Sequence, residues 1–315
     1  MSKKILIVDD THPMLIDKLT QAGFICHYKP TISRKEIIET ISDYYGLVIR
    51  SKTKIDKPLL DKASNLKVIG RYGAGMENID INYAKKKNII CVNAPEGNRN
   101  AVAEHEIGLL FALLNKICIA YTQVKNGIWD RNNNWGQEIE GKTIGIIGYG
   151  NTGSTFARKL QGFDVKILAY DKYKTNFGND YVQESSLKTL FEKADVLSLH
   201  IPLTPETNNM VNLPFIDKFK KPFILLNTSR GQIVNTPDLI KALKSKKITA
   251  AALDVLAYEK LNFESMYALE NKTLKELLTF NNVILTPHIA GWTYQSYKKL
   301  AEKLAGKIIN NTPHY

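Results

Sequence analysis

The chain has 315 residues, 44% of them hydrophobic, with 43 Lys and Arg against 31 Asp and Glu and a formal net charge of +12. That length exceeds what one hydrophobic core usually supports, so two globular domains are expected. No apolar run approaches the roughly 18 residues of a membrane span, and the lysines are spread over segments such as 84–87 and 241–247, so neither a membrane nor a nucleic-acid partner is expected, while the charge draws anionic substrates inward.

The opening MSKKILIVDD holds only a short apolar stretch before Asp9 and Asp10, so no secretory leader is expected. Cys26, Cys91 and Cys118 are few, separated and odd in number, which predicts reduced thiols in the cytosol, each a small core residue, with neither a disulfide framework nor a metal site. A cytoplasmic protein follows as the expectation.

In chain order, Lys4 to Val8, Gly46 to Ile49, Lys67 to Ile69 and Ile89 to Val92 read as buried strands separated by amphipathic segments, a βαβ series with a parallel sheet. From Asn100 to about Lys125 the apolar residues recur at helical spacing in a pattern too apolar for a surface, which predicts one buried connecting helix. GKTIGIIGYG opens a second series, with strands at 143–147, 166–170, 196–200, 223–227, 248–254 and 282–286. The fold class is therefore α/β, with two Rossmann-like, doubly wound parallel-sheet domains and a cleft between them. Only one helix, about Tyr294 to Asn310, follows the last strand, and it must pack on one of the two sheets.

The glycines of GYGNTG carry the first chemical signal. Gly148, Gly150 and Gly153 follow a strand and open a helix, where glycine serves the tight turn, the close approach to a pyrophosphate and helix packing. Asp171 ends the next strand, about twenty residues on, where a carboxylate accepts from an adenosine ribose and repels a 2′-phosphate. NAD is expected over NADP, with Lys172 weakening the preference. The bland reading is a strand-terminal acid beside an incidental glycine loop.

Arg230, just past the strand FILLNTS, offers a planar fork for the carboxylate and carbonyl of a 2-oxo acid. His288, after the last strand, is a natural proton donor and acceptor for a carbonyl that becomes an alcohol, and Glu259 would stabilise its imidazolium if it reaches the ring. Singly they read as well as a surface charge, a packed histidine and a solvated acid; together, beside a dinucleotide turn, they form a hydride-transfer set.

The order GYGNTG, NTSRG, ALDVLAYE, TPHIAG resembles the D-isomer-specific 2-hydroxyacid dehydrogenases, from about Gly46 to the C-terminus. The resemblance implies that Arg230, Glu259 and His288 are catalytic and that Asn151, Thr152, Asp171, Ile201, Thr228 and Asp254 hold the nucleotide with the glycines. It also implies that residues 1–98 and 289–315 form the substrate domain around an NAD-binding domain at 99–288. IRSKTKI, GRYGAGMENID and the segment 127–150 resemble the branch acting on D-3-phosphoglycerate. There the loop of Gly73, Ala74 and Gly75 would meet the substrate carboxylate, and Arg50, beside Ser51, with Arg131 from across a homodimer, would meet the phosphate.

The chain departs from the pattern at Lys260, where relatives have proline, through a poorly matching segment to 275, and at Gly291 and Trp292, where many have smaller residues. The resemblance ends with the closing helix, so the regulatory domain of some relatives is expected to be absent. The activity expected is NAD-dependent interconversion of a D-2-hydroxy acid and its 2-oxo acid, with 3-phosphoglycerate and its oxidised partner favoured for serine biosynthesis. The alternatives are a reductase of hydroxypyruvate or glyoxylate, a D-lactate-type dehydrogenase or, in another class, an NAD(H)-sensing regulatory protein.

Overall fold

Two all-parallel sheets organise the chain in a computed structural model that describes residues 3–259 and 271–312. The first contains β1 (Lys4–Ile7), β2 (Ile25–Tyr28), β3 (Gly46–Ile49), β4 (Val68–Arg71) and β5 (Ile90–Asn93) in the order β2-β1-β3-β4-β5. The second contains β6 (Thr143–Ile147), β7 (Lys166–Tyr170), β8 (Gln183–Glu184), β9 (Val196–Leu199), β10 (Phe223–Asn227), β11 (Ile248–Leu253) and β12 (Val283–Leu285) in the order β12-β11-β10-β9-β6-β7-β8. Counted within its own sheet, the second has the dinucleotide-binding order 3-2-1-4-5-6 with one further strand, while the first has the flavodoxin-like order 2-1-3-4-5. Both are doubly wound, as the alternating pattern predicts.

The described residues divide into two compact units, one of residues 3–99 and 292–312, the other of 100–259 and 271–291. Each sheet has an apolar cluster on both faces, which parallel strands require because crossover helices cover both sides. In the first unit the last helix, Tyr294–Asn310, lays Leu300, Leu304 and Ile308 against Ile5, Val48 and Val68. Its fit is close: a Cβ on Gly70 would come within 2.8 Å of Ile308 Cδ1.

Three expectations need correction. The helix expected over 100–125 is two, Pro95–Leu114 and Ile117–Lys125, bent by 64° at Lys116, whose φ of 52° is left-handed. The first buries Ala103, Leu110 and Leu114, but the second buries nothing, leaving Ile117, Tyr121 and Val124 exposed. Gln137 N–H donates to Leu114 O at 3.0 Å and so caps the first helix where the chain turns. Second, β5 is an edge strand with Ile90 exposed. Third, Cys118 is exposed and Cys26 and Cys91 are only half-buried, so the cysteines are not core residues. No single helix among the described residues is long and apolar enough to cross a membrane.

Candidate active site

β6 and β9 are neighbours, and β7 lies on the other side of β6, so the connections diverge at the carboxyl ends of β6 and β9. Such a switch point opens a crevice where ligands of α/β sheets bind. Gly148 follows β6 with φ 94°, and a Cβ there would lie 2.4 Å from the O of His200, the residue after β9. Gly153 lets the helix Asn151–Lys159 pack down, since its Cβ would meet Gly148 O at 2.0 Å. Beside Gly150 there is open space. Asn151 and Thr152 lie in the first turn of that helix, whose backbone N–H groups lack intrahelical acceptors, a cradle suited to a pyrophosphate. Ile201 packs close by, its Cγ2 within 2.9 Å of the position of a Gly148 Cβ.

Asp171 follows β7. Its Oδ2 accepts from Tyr149 N–H at 2.8 Å and its Oδ1 from the N–H groups of Tyr173 and Lys174 at 2.9 and 3.1 Å, which fixes the carboxylate beside an open groove of about 400 Å³ lined also by Tyr170, Thr175 and Ser185. Lys172 Nζ pairs with Glu206. The ammonium that weakens the expected NAD preference is thus engaged with a carboxylate. These residues suit a dinucleotide with a free ribose 2′-hydroxyl.

The second unit also gathers the three residues expected to do chemistry. His288 Nδ1 lies 2.6 Å from Glu259 Oε2, and the two side chains are only 21% and 13% exposed. Glu259 Oε1 accepts from Leu256 N–H, which fixes the carboxylate on its own loop. Because a carboxylate only accepts, Nδ1 carries the hydrogen and Nε2 is left to exchange a proton. His288 has φ 55°, a conformation that costs a non-glycine residue free energy. Asp254, at the end of β11 and 1% exposed, holds that turn: its Oδ1 accepts from Thr286 Oγ1 at 2.5 Å and Ile289 N–H at 2.9 Å, its Oδ2 from Ala290 N–H at 2.8 Å. Asp254 therefore positions the histidine loop.

Arg230 follows β10, where the side chain of Asn227 ties the loop together by donating to Arg230 O and accepting from Ser229 N–H. Arg230 Nη1 donates to Ser229 O at 2.5 Å, which orients the guanidinium. Gly231 is required next: a Cβ there would lie 1.9 Å from Leu256 C and 2.4 Å from Ala257 N. The arginine loop thus packs directly on the loop that leads to Glu259. Lys260 and the departing segment through 270 lie outside the described residues.

Glu106, His105 and His200 are missed by the motifs. Glu106 is fully buried in the helix Pro95–Leu114, accepting from Ser198 Oγ and, at 2.8 Å, from Thr228 Oγ1. The sequence does carry a signal: Glu106 lies three residues after Ala103 and four before Leu110, on the buried face of its helix. Burial pushes its carboxyl up to about 7 and His200 down to about 3, so the imidazole is neutral.

In the first unit, Arg50 follows β3 with Ser51 beside it, its guanidinium 4.2 Å from the centroid of the Trp292 ring and its N–H donating to Asp9 Oδ2 at 2.5 Å. Gly73 has φ 147°, and Asn93 Nδ2 donates to Ala74 O at 2.5 Å, so the loop Gly73, Ala74, Gly75 is braced from β5. Arg131 is exposed on the loop after Lys125 in the second unit.

Residues 107–290 match the family model "D-isomer specific 2-hydroxyacid dehydrogenase, NAD binding domain". The chain is 37% identical to a D-3-phosphoglycerate dehydrogenase of Archaeoglobus fulgidus over 98% of its own length and 57% of the relative's. It is 38% identical to a glyoxylate reductase of Thermofilum pendens over 88% of its length and 81% of that protein. A solved D-lactate dehydrogenase of Aquifex aeolicus, complexed with NAD and lactic acid, superposes with a TM-score of 0.81 over 97% of this chain and 94% of that one at 27% identity. The chain spans a little over half the length of the D-3-phosphoglycerate dehydrogenases of Archaeoglobus fulgidus, Synechocystis and Methanocaldococcus jannaschii that it matches. With its NAD-binding domain in the second unit, the chain belongs to the D-isomer-specific 2-hydroxyacid dehydrogenase family.

Proposed function

We propose that the chain is an NAD-dependent dehydrogenase of D-2-hydroxy acids, with 3-phosphoglycerate and 3-phosphohydroxypyruvate as its substrate pair. The observation that carries the chemistry is the His288–Glu259 contact of 2.6 Å. NAD, when bound, accepts or gives the hydride at the substrate's C2. Gly148, Gly150, Asn151, Thr152 and Gly153 would hold its pyrophosphate, Asp171 its ribose, and Ile201, Thr228 and Asp254 the rest of the nucleotide. His288 Nε2 takes the proton of the C2 hydroxyl or returns it to the oxo group, and Glu259 stabilises the imidazolium meanwhile. Arg230 meets the carboxylate with paired N–H groups, as an ammonium would not. An NAD(H)-sensing protein would need the glycine turn but not this acid–base pair.

For the substrate, Arg230 and the loop Gly73, Ala74, Gly75 serve the carboxylate, and Arg50, with Ser51 beside it and Arg131 from a second copy, serves the phosphate. The relatives of 37% identity in this branch support that reading. Reduction of hydroxypyruvate or glyoxylate is the second reading, favoured by the Thermofilum pendens relative, of which the chain covers more. It is also favoured by Trp292, which already occupies one face of the Arg50 guanidinium.

The test is NADH oxidation with 3-phosphohydroxypyruvate, hydroxypyruvate, glyoxylate and pyruvate side by side, on wild type and on Arg50→Ala/Arg131→Ala. A loss confined to the phosphorylated acid supports the first reading. Equal response of all four acids gives the second, and NADH binding without turnover gives the sensor.

A further inference from the structure

The buried carboxylate of Glu106 reaches, through hydroxyls, two residues of the cofactor site proposed above, on which this inference rests. Ser198 Oγ donates to Glu106 Oε1, and Thr228 Oγ1 donates to Oε2 at 2.8 Å. His200 Nε2 lies 2.7 Å from Ser198 Oγ, and its Nδ1 lies 3.3 Å from Thr152 Oγ1. An ionised carboxylate accepts only, so both hydroxyl protons must point at it. With its own proton committed to Glu106, Ser198 Oγ accepts from His200 Nε2–H; His200 is then the Nε2–H tautomer, and Nδ1 accepts from Thr152. One buried charge orders hydroxyl protons as far as the first turn of the pyrophosphate helix.

We propose that Glu106 is a positioning residue of the cofactor site: by turning the Thr228 hydroxyl proton inward, it leaves Thr228 Oγ1 as an acceptor for a donor of the bound dinucleotide, a carboxamide N–H or a ribose hydroxyl. When Glu106 is protonated, it donates to one of its two hydroxyls, and that oxygen's proton can turn toward the site, where it opposes such a donor. Cofactor binding therefore selects the ionised form and releases the Glu106 proton to solvent. Burial has raised this carboxyl to about 7, so both forms are populated near neutrality. The titratable groups that face it are His105 on its own helix and Asp254 after β11, of opposite sign in their effect, and the neutral His200 after β9.

The experiment measures NADH dissociation constants by fluorescence across pH 6 to 9 for wild type, Glu106→Gln, Thr228→Val and the double variant, with thermal unfolding as the folding control. In the apo proteins, infrared spectra follow the stretch of a protonated carboxyl. Wild type is expected to bind NADH more tightly as pH rises through about 7, with a carboxyl band that fades over the same range. Glu106→Gln is expected to lack the band, lose the slope and bind about tenfold more weakly at the alkaline end, the scale of one charged hydrogen bond. Thr228→Val should flatten the slope as well, with the double variant no worse than the weaker single. A slope that survives in either single variant, or Glu106→Gln binding as wild type does, overturns the inference and leaves the cofactor reading standing. Wild type that binds no NADH at any pH overturns both.

Discussion

His288 occupies a left-handed backbone conformation that costs roughly 1–3 kcal/mol in a non-glycine residue and persists only where the surroundings enforce it. The enforcement is visible, in the buried Asp254 carboxylate and in His288 N–H donating to Asp254 O at 2.8 Å. The strain aims the ring so that Nδ1 meets Glu259. If that geometry serves proton exchange, His288→Gln should lower turnover by about 10²- to 10⁴-fold with little change in NADH affinity. Glu259→Gln should cost a comparable factor, because an amide N–H turned toward Nδ1 selects the wrong tautomer. Steady-state kinetics with a separate NADH titration checks both, and a variant with normal turnover would remove its residue from the mechanism. Cofactor choice is a second residue-scale question. On the proposed reading Asp171 would accept from the ribose, while Glu206 pairs with Lys172. Asp171→Ser should narrow the preference for NADH over NADPH strongly, and Glu206→Gln slightly, by releasing a cation able to meet a 2′-phosphate. Equal efficiency with both cofactors in wild type would refute the premise.

Among the elements, the contact between the Arg230 loop and the Glu259 loop turns on one missing methyl. Gly231→Ala would drive a Cβ into the Leu256 carbonyl carbon, so one loop must move and carry Arg230 or Glu259 with it. A misplacement of about 1 Å can cost 10²-fold, so turnover should fall by about that much while the unfolding temperature shifts by only a few degrees. Unchanged kinetics would mean the loops have slack. The same scale shows what the sequence made legible. Runs such as FILLN and ITAAAL are apolar because their strands lie inside the sheet, so periodicity finds them. β2 (ICHY) is half-exposed and broken by His27, and β8 is only two residues, so neither leaves a continuous apolar run to read. The helix break at Lys116 has no proline or glycine to announce it. It is made by a tertiary cap, Gln137 on Leu114, which no local pattern encodes. The pairing of His288 with Glu259 was legible because the two stand in an ordered set of motifs beside a dinucleotide turn, where neither residue alone would have pointed to the other. The Glu106 network was not, because it is assembled from a helix and two strand ends far apart in sequence.

At the scale of the whole molecule, the surface left by that break predicts a partner. Ile117, Tyr121, Val124 and Ile128 recur at helical spacing and are each more than half exposed, and Trp129 and Trp135 nearby are 78% and 79% exposed. Scattered exposed apolar residues are ordinary, but six within 19 positions, two of them tryptophans, form the kind of patch that marks an association site. A two-fold homodimer covers such a stripe with its own copy, each protomer burying what the other presents. The expected state is therefore a dimer of 35.6 kDa protomers. Light scattering at micromolar concentration should give twice that mass, and Tyr121→Glu/Val124→Glu, which sets charges facing each other across the axis, should give the single mass without loss of fold by circular dichroism. If Arg131 acts across the dimer, the same variant should also lose efficiency on a phosphorylated substrate more than on hydroxypyruvate. A wild-type monomer would leave the stripe unexplained and detach Arg131 from the substrate. A dimer that survives the double substitution would place the contact elsewhere on the surface.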